Sequence, residues 1–167
     1  IRSLDPLLKV KIPQALAMNV NFILFCLNFF RDPNRAGSND PLDVLSAADG
    51  VVTEIVEMEE TEFLKRPMKR IGVFLSVFDV HTNRAPLDGK VTYLNHFPGT
   101  YPGPYLDARN RECSSKNEAQ TWAFESPQAT LVVRQITGAI ARRIVPWRQV
   151  GDVVRRGERF GMIRFGS

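Results

Sequence analysis

The chain has 167 residues, of which 44% are hydrophobic and 24% are charged. This length is enough for one domain with a sizeable hydrophobic core and too short for two comfortable domains. The balance of apolar and charged residues excludes neither a globular enzyme nor a binding module, but it disfavours a disordered chain and a polytopic membrane protein.

The net charge of +4 favours an anionic partner, which is either a nucleic acid or a lipid surface. The sequence contains neither an RNA-binding aromatic motif nor a zinc-finger spacing, so we expect no nucleic-acid partner. Its two cysteines, Cys26 and Cys113, lie far apart in different contexts, which disfavours a disulfide framework.

An uncharged apolar segment, PQALAMNVNFILFCLNFF, runs from Pro13 to Phe30 between basic residues. A membrane-spanning helix needs about 20 mostly apolar residues, and this segment is slightly shorter and contains one glutamine and three asparagines. We predict an apolar helix that lies in or on a membrane face, within a membrane-associating N-terminal segment of residues 1–35. A helix in the domain core, or one that pairs two copies in a homodimer, is the alternative.

The rest of the chain changes to short β-type runs. Asp49-Gly50 and Asp88-Gly89 are typical turn pairs between them. The predicted strands lie in GVVTEIVEME, IGVFLSVFDV, KVTYLNHF, TWAFES, ATLVVRQIT and RFGMIRFGS, and we expect the second of these to be one buried strand. The pattern predicts a mainly β domain over residues 36–167, a β-sandwich or barrel-sandwich of short antiparallel strands that follows the N-terminal apolar helix.

The final predicted hairpin, in QVGDVVRRGERFGMI, also resembles those of lipoyl and biotinyl carrier domains. Such a carrier needs a lysine at the tip of the hairpin, and the tip here reads VRRGE. A carrier function is therefore disfavoured.

Only two histidines are present, and His81 lies in the more informative context. In an extended chain Asp79, His81 and Asn83 share one face, which could combine a proton donor or acceptor with an orienting carboxylate, and Arg84 adds a group that binds anions. A histidine at the end of a strand is more often structural than catalytic. We interpret His96 as a packing or surface residue.

Asp49 has a plain structural interpretation, because Asp-Gly before a strand usually forms a turn. A metal site is not predicted. Neither histidine has another histidine, a cysteine or a paired carboxylate at the spacing that metal ligands need.

Six motifs in a fixed order carry a resemblance to a known family. They are FFRDPNR, SAADGVV, FLSVFDVHTNRAPLDG, KNEAQTWAFES, VRQITGAIARRIV and VGDVVRRGERFGMIRFGS. Together they make roughly residues 29 to 167 similar to the phosphatidylserine decarboxylase proenzymes, particularly their shorter prokaryotic branch.

The resemblance implies that the chain cuts its own backbone between Gly166 and Ser167 and that Ser167 becomes a covalent pyruvoyl group, the cofactor. It also implies that Asp49, His81 and Ser167 form the set that carries out this cleavage. The sequence would then be the large subunit with its future pyruvoyl residue attached, or a precursor whose tail is absent. The small subunit made from the same precursor would be its partner.

The implied reaction is the decarboxylation of phosphatidylserine to phosphatidylethanolamine and CO₂, by a peripheral enzyme on the cytoplasmic side of the cell membrane. The pyruvoyl ketone would serve as the electron sink. Another serine-headed lipid of the archaetidylserine type has the same head group and is an alternative substrate. A non-catalytic lipid-binding β module is the alternative from a different functional class.

The sequence departs from longer family members, which carry two histidines three residues apart. Here His81 is followed by Arg84 in the second place. Either His81 serves both self-cleavage and decarboxylation, or Arg84, with Asn83, binds the head group while another group delivers the proton. Asn117-Glu118 matches an Asn-Glu pair of the family and would support the site, although a surface turn is an equal alternative.

Overall fold

A computed structural model describes residues 6–38, 40, 42–100, 105–110 and 112–166, and for residues 6–13 it describes the backbone alone. Strands dominate this part of the chain, as the sequence predicts. In chain order the elements are α1 (Pro6–Phe29), β1 (Val51–Glu60), β2 (Arg66–Phe74), β3 (Thr82–Arg84), β4 (Gly89–Phe97), α2 (Cys113–Lys116), β5 (Ala119–Glu125), β6 (Thr130–Ile136), β7 (Ala141–Pro146), β8 (Val153–Val154) and β9 (Arg159–Phe165).

The described strands pair antiparallel in three sheets. Strands β1 and β2 form a hairpin, β3-β9-β7 form a three-stranded sheet, and β6-β5-β4-β8 form a four-stranded sheet. The predicted mainly β fold of short antiparallel strands with an N-terminal apolar helix is confirmed.

The main core joins the three-stranded and four-stranded sheets. Trp122 and Phe124 of β5 pack on Phe160 of β9, with ring centroids 4.9 and 5.1 Å from that of Phe160. Because all three side chains are fully buried, their apolar surface contributes strongly to holding the two sheets together.

A chain of hydrogen bonds runs from this core towards β3. The indole N–H of Trp122 donates to Gln135 Oε1 at 2.7 Å, and Gln135 Nε2 donates to Asn83 Oδ1 at 2.7 Å. Asn83 Nδ2 in turn donates to the Ala47 carbonyl oxygen at 3.3 Å. These bonds satisfy buried polar groups and fix β3 against the core.

The N-terminal helix begins at Pro6, seven residues before the predicted start at Pro13, and ends at Phe29. A proline fits the first turn of a helix, where its missing N–H costs nothing. The last turn packs on the β-rich part of the chain, because Phe25 and the fully buried Phe29 join a second apolar cluster with Ile144 and residues of β9. The predicted boundary at residue 35 stays a prediction, and residues 1–5 lie outside the described chain.

None of the helices in the described residues has the length and apolar character needed to cross a membrane.

The predicted single buried strand IGVFLSVFDV is wrong, because β2 ends at Phe74 and the chain turns at residues 76–79. The Asp79 carboxylate accepts hydrogen bonds from the Ser76 N–H at 2.7 Å and from the Ser76 hydroxyl at 2.8 Å. Local bonds of this kind satisfy the backbone outside a sheet and so compete with strand pairing. Ile71, within the predicted buried strand, is also exposed.

Candidate active site

The candidate site lies at the end of β9, the middle strand of the three-stranded sheet. Antiparallel pairing sets Thr82 opposite Met162, and the Ile163 N–H donates to the His81 carbonyl oxygen at 3.2 Å. Strand β9 ends at Phe165 and Gly166 follows it, whereas the predicted nucleophile Ser167 lies outside the described residues. The sheet therefore brings His81 within a few residues of the predicted cleavage junction.

The His81 side chain is buried, with 3% of its residue surface exposed. Its ring stacks on that of Phe29 with centroids 4.0 Å apart, and Phe29 stacks in turn on Phe165 at 3.8 Å. An aromatic residue from α1 thus packs against both the histidine and the last strand.

One main-chain group fixes the orientation and tautomer of the His81 ring. Nδ1 lies 3.0 Å from the carbonyl oxygen of Asp79. Because a carbonyl oxygen only accepts hydrogen bonds, Nδ1 carries the proton and Nε2 of the neutral ring keeps its lone pair. Within the described residues Nε2 has no hydrogen-bond partner, so it is available to accept a proton.

Burial lowers the pKa of His81 from its ordinary value of 6.5, because the charged imidazolium loses water contacts. The hydrogen bond to the Asp79 carbonyl and the charge of the Asp79 carboxylate raise the pKa, and the Arg31 charge lowers it, which leaves it below the ordinary value. A lowered pKa keeps this imidazole neutral near pH 7, the form that a general base requires.

The predicted shared face implied that Asp79 and Asn83 would form one group with His81. The structure does not bring their side chains together in this way. The Asp79 carboxylate closes the turn on Ser76, so its main-chain carbonyl, and not its carboxylate, orients the histidine. The Asn83 side chain is buried in the hydrogen-bond chain that ends at the Ala47 carbonyl. Binding of substrate by Asn83 stays a prediction.

Asp49 lies just before β1, and its carboxylate forms an ion pair with Arg35. It lines a cavity of about 280 Å³ together with Val80 and Thr82, while His81, which lies between these two in the chain, does not line it. No hydrogen bond joins Asp49 to His81, and both residues belong to the described chain. A catalytic role for Asp49 stays a prediction.

The backbone conformation and close packing at position 50, just after Asp49, require a glycine. Gly50 has a φ of +137°, and a Cβ at this position would stand 2.2 Å from the Phe74 carbonyl oxygen. We expect Gly50→Ala to destabilise the protein by about 1–3 kcal/mol through backbone conformation alone, with a further loss from the clash. Urea unfolding of variants that also carry Ser167→Ala, a change that should prevent the predicted self-cleavage, would measure the change.

A matched control separates the two contributions. Gly151 also has a positive φ, of +102°, but a Cβ there meets no atom within 4 Å. Gly151→Ala should therefore destabilise the protein only through its backbone conformation, without a clash. Equal losses at Gly50 and Gly151 would contradict the predicted clash with Phe74.

Arg84 connects β3 to two loops. Its Nη1 donates to the Gly157 carbonyl oxygen at 2.9 Å, and its Nη2 forms an ion pair with Asp32 and donates to the Pro33 carbonyl oxygen at 3.2 Å. The guanidinium also borders the cavity that contains Asp49. Binding of a lipid head group by Arg84 stays a prediction.

A second polar cluster lies beside β7. Glu118 is 2% exposed, and its Oε1 accepts hydrogen bonds at 3.2 Å from both the Ile144 N–H and His96 Nε2. Its Oε2 accepts from Arg143 Nη1, also at 3.2 Å. Asn117 is equally buried, so the surface-turn alternative for Asn117-Glu118 is wrong, and His96 has a polar partner that the sequence did not reveal.

Arg143 extends from β7 to the predicted junction. A Cβ built on Gly166 would stand 2.5 Å from Arg143 Cγ, so the stem of the arginine lies directly against the glycine. Sequence reasoning missed Arg143. The motif ARRIV contains two adjacent arginines, and nothing in the strand pattern shows which of them lies next to Gly166.

The fold and the site define a mainly β protein with a buried basic imidazole beside the end of a strand, an arrangement suited to acid–base chemistry. The family model described as phosphatidylserine decarboxylase matches residues 22–167. The chain belongs to this family, as its motifs predicted.

Relatives named phosphatidylserine decarboxylase proenzyme support this assignment. One from Carboxydothermus hydrogenoformans is 42% identical over 144 residues, which are 86% of this chain and 66% of the relative. One from Magnetococcus marinus is 40% identical over 154 residues, 89% of this chain and 69% of the relative. One from Salinibacter ruber is 41% identical over 155 residues, 91% of this chain and 66% of the relative. The chain thus spans about two thirds of the length of these relatives.

Proposed function

We propose that this protein is a decarboxylase that converts phosphatidylserine to phosphatidylethanolamine and CO₂ after cutting its own backbone between Gly166 and Ser167. Membership of the family supports the reaction. The observation that best supports the self-cleavage is the geometry of His81, a buried neutral imidazole whose Nε2 is unpartnered among the described residues, beside the strand that leads to Gly166.

In the proposed cleavage, His81 Nε2 accepts the proton of the Ser167 hydroxyl as its oxygen attacks the Gly166 carbonyl carbon. The carbonyl carbon then releases the Ser167 nitrogen, which takes a proton, and an ester replaces the peptide bond. Elimination across the serine side chain leaves Gly166 as a carboxylate and the former serine as dehydroalanine. Addition of water and loss of ammonia convert dehydroalanine into the pyruvoyl ketone.

The pyruvoyl group, once formed from Ser167, would supply the carbonyl that takes up the electrons released as CO₂ leaves. The residues near the junction suit this chemistry, because His81 can hold a proton at Nε2 and return it to carbon. We assign both proton transfers to His81. Arg84, in the place of a second histidine, already binds Asp32 and Gly157, which disfavours a separate catalytic role for it.

Asp49 enters this proposal only through the resemblance, since its carboxylate binds Arg35. For Asp49 to act with His81 it would have to leave that guanidinium. The main-chain carbonyl of Asp79 is the group that orients His81 in the mechanism we favour.

We also propose that the enzyme works as a peripheral protein on the cytoplasmic face of the cell membrane, with the small subunit from the same precursor as its partner. The exposed apolar side chains of α1 and the residue after it support contact with lipid. They include Leu16, Phe22, Leu24, Leu27 and Phe30. A homodimer, and an archaetidylserine-like substrate with the same head group, remain predictions.

Intact-mass measurement of the purified full-length product tests the proposal. We expect two chains, the smaller of which has a blocked start that reacts with carbonyl reagents, and CO₂ release from phosphatidylserine vesicles. Ser167→Ala should remain one chain without activity, and Ser115→Ala, at an exposed serine, should be cut normally. A wild-type protein that stays in one piece and still releases CO₂ would refute self-cleavage.

A further inference from the structure

A buried carboxylate holds an arginine beside the predicted cleavage junction. Glu118 is 2% exposed, whereas the side chain of its partner Arg143 is 47% exposed. Because the Ile144 N–H and His96 also bind Glu118, the position of this carboxylate is well fixed. Glu118 therefore acts as an anchor that restrains the end of a longer and more exposed side chain.

Arg143 and His81 approach the same strand from different sides. His81 lies just before β3, which pairs with one edge of β9, and Arg143 belongs to β7, which pairs with the other. The Arg143 stem lies against Gly166, with Cγ 2.5 Å and Cδ 3.9 Å from a Cβ built on that glycine, and its Nη1 donates to Glu118 Oε2 at 3.2 Å. A base and a cation are thus placed on opposite edges of the strand that carries the junction.

We propose that Arg143, held by Glu118, stabilises the negative charge that develops on the Gly166 carbonyl oxygen during self-cleavage. This inference rests on the proposed function, and it adds a residue to it. When the serine oxygen attacks, the electron pair of the carbonyl double bond moves to this oxygen. A guanidinium held in advance near that charge lowers the barrier, because little reorganisation is needed at the moment of reaction.

The same contact continues to act after the bond is cut. Elimination turns the Gly166 acyl group into a carboxylate, which carries a full negative charge beside the same arginine. Charge-assisted bonds between arginine and carboxylate are among the stronger hydrogen bonds in proteins. We therefore expect Arg143 to keep the new chain end docked at the site.

The glycine at position 166 fits this role. A Cβ there would stand 2.5 Å from Arg143 Cγ and 3.2 Å from Arg143 Cβ. These atoms belong to the base of the side chain, which cannot move away without displacing the guanidinium. Glycine is therefore the residue that permits this close approach.

The test compares the cleavage rates of full-length precursors made in a cell-free system. Arg143→Met keeps much of the stem and removes the charge, and we expect it to slow cleavage by about 10²–10³-fold, the usual effect of removing an oxyanion donor. Arg143→Lys keeps the charge and should be cut at least tenfold faster than Arg143→Met. Arg142→Met changes the neighbouring arginine, which binds the Ala139 carbonyl, and should be cut like wild type.

Further measurements show which step is slow and whether the fold is intact. Hydroxylamine cuts esters, so it should release less fragment from Arg143→Met than from wild type at equal times, because the ester forms more slowly. In the Ser167→Ala background, Arg143→Met should melt within a few degrees of Arg142→Met. Glu118→Gln should also be cut more slowly than wild type, since the anchor of the guanidinium loses its charge.

The outcomes separate this inference from the proposed function. If wild-type protein is not cut at all, the proposed function fails. If wild type and Arg142→Met are cut and Arg143→Met is cut equally fast, this inference is wrong and the proposed function stands. If Arg143→Met is cut slowly and also melts at a lower temperature, the cleavage rate of Arg143→Lys is decisive. A rate at least tenfold above that of Arg143→Met supports the charge role, and an equal rate overturns it.

Discussion

Replacing His81 with alanine is expected to slow self-cleavage by about 10²–10⁴-fold, the range in which positioned general bases contribute. The reason is that, among the described residues, His81 Nε2 has no hydrogen-bond partner and lies beside the strand that leads to Gly166. The measurement is the time course of precursor conversion after synthesis, followed by intact mass.

A second substitution separates proton transfer from packing. His81→Phe keeps an aromatic ring to stack on Phe29 and removes the basic nitrogen. It should be as slow as His81→Ala if proton transfer is the role of His81. Wild-type cleavage by His81→Phe would show that the ring serves only to pack.

The pH dependence of cleavage follows from the lowered pKa of His81. Since the neutral form is the base, cleavage should be near its plateau at pH 7 and should fall only below the ordinary pKa of 6.5. The free energy of unfolding should change with pH in the same direction as the cleavage rate. As pH drops below 6.5, the unfolded chain binds a proton that native His81 does not, so the free energy of unfolding decreases until the lowered pKa is reached.

Replacing Trp122 with alanine should have the largest effect on stability, a loss of about 3–5 kcal/mol in the free energy of unfolding. Trp122 is fully buried, packs on Phe160 and donates its indole N–H to Gln135. Its removal leaves a cavity between the two sheets and an unpaired amide oxygen. Urea unfolding in the Ser167→Ala background measures the loss.

The second tryptophan of the chain supplies the control. Trp147 is 43% exposed and lies outside the main core cluster. We expect Trp147→Ala to cost less than about 1 kcal/mol, because surface changes of this kind leave core packing intact. Similar losses at Trp122 and Trp147 would contradict the central role of the core tryptophan.

The order of the strands along the chain was largely predictable. Alternation of apolar and polar residues and the turn pairs located β1, β4, β5, β6 and β9 close to their observed bounds. The run IGVFLSVFDV misled the prediction because its composition is that of a buried strand. The competing signal was the Ser76–Asp79 spacing, which permits a side chain to close a turn.

The sequence by itself determined the fold class, the family and the identity of His81 as a candidate base, because these depend on periodicity, motif order and residue type. Only the tertiary structure decided which groups surround that histidine. In the folded chain the Asp79 carboxylate binds Ser76 and not His81, Asp49 pairs with Arg35, and Phe29 of the first helix stacks on the imidazole ring. The tertiary structure also brought Arg143 to Gly166. Contacts between distant segments depend on sheet order, register and packing, which local patterns do not encode.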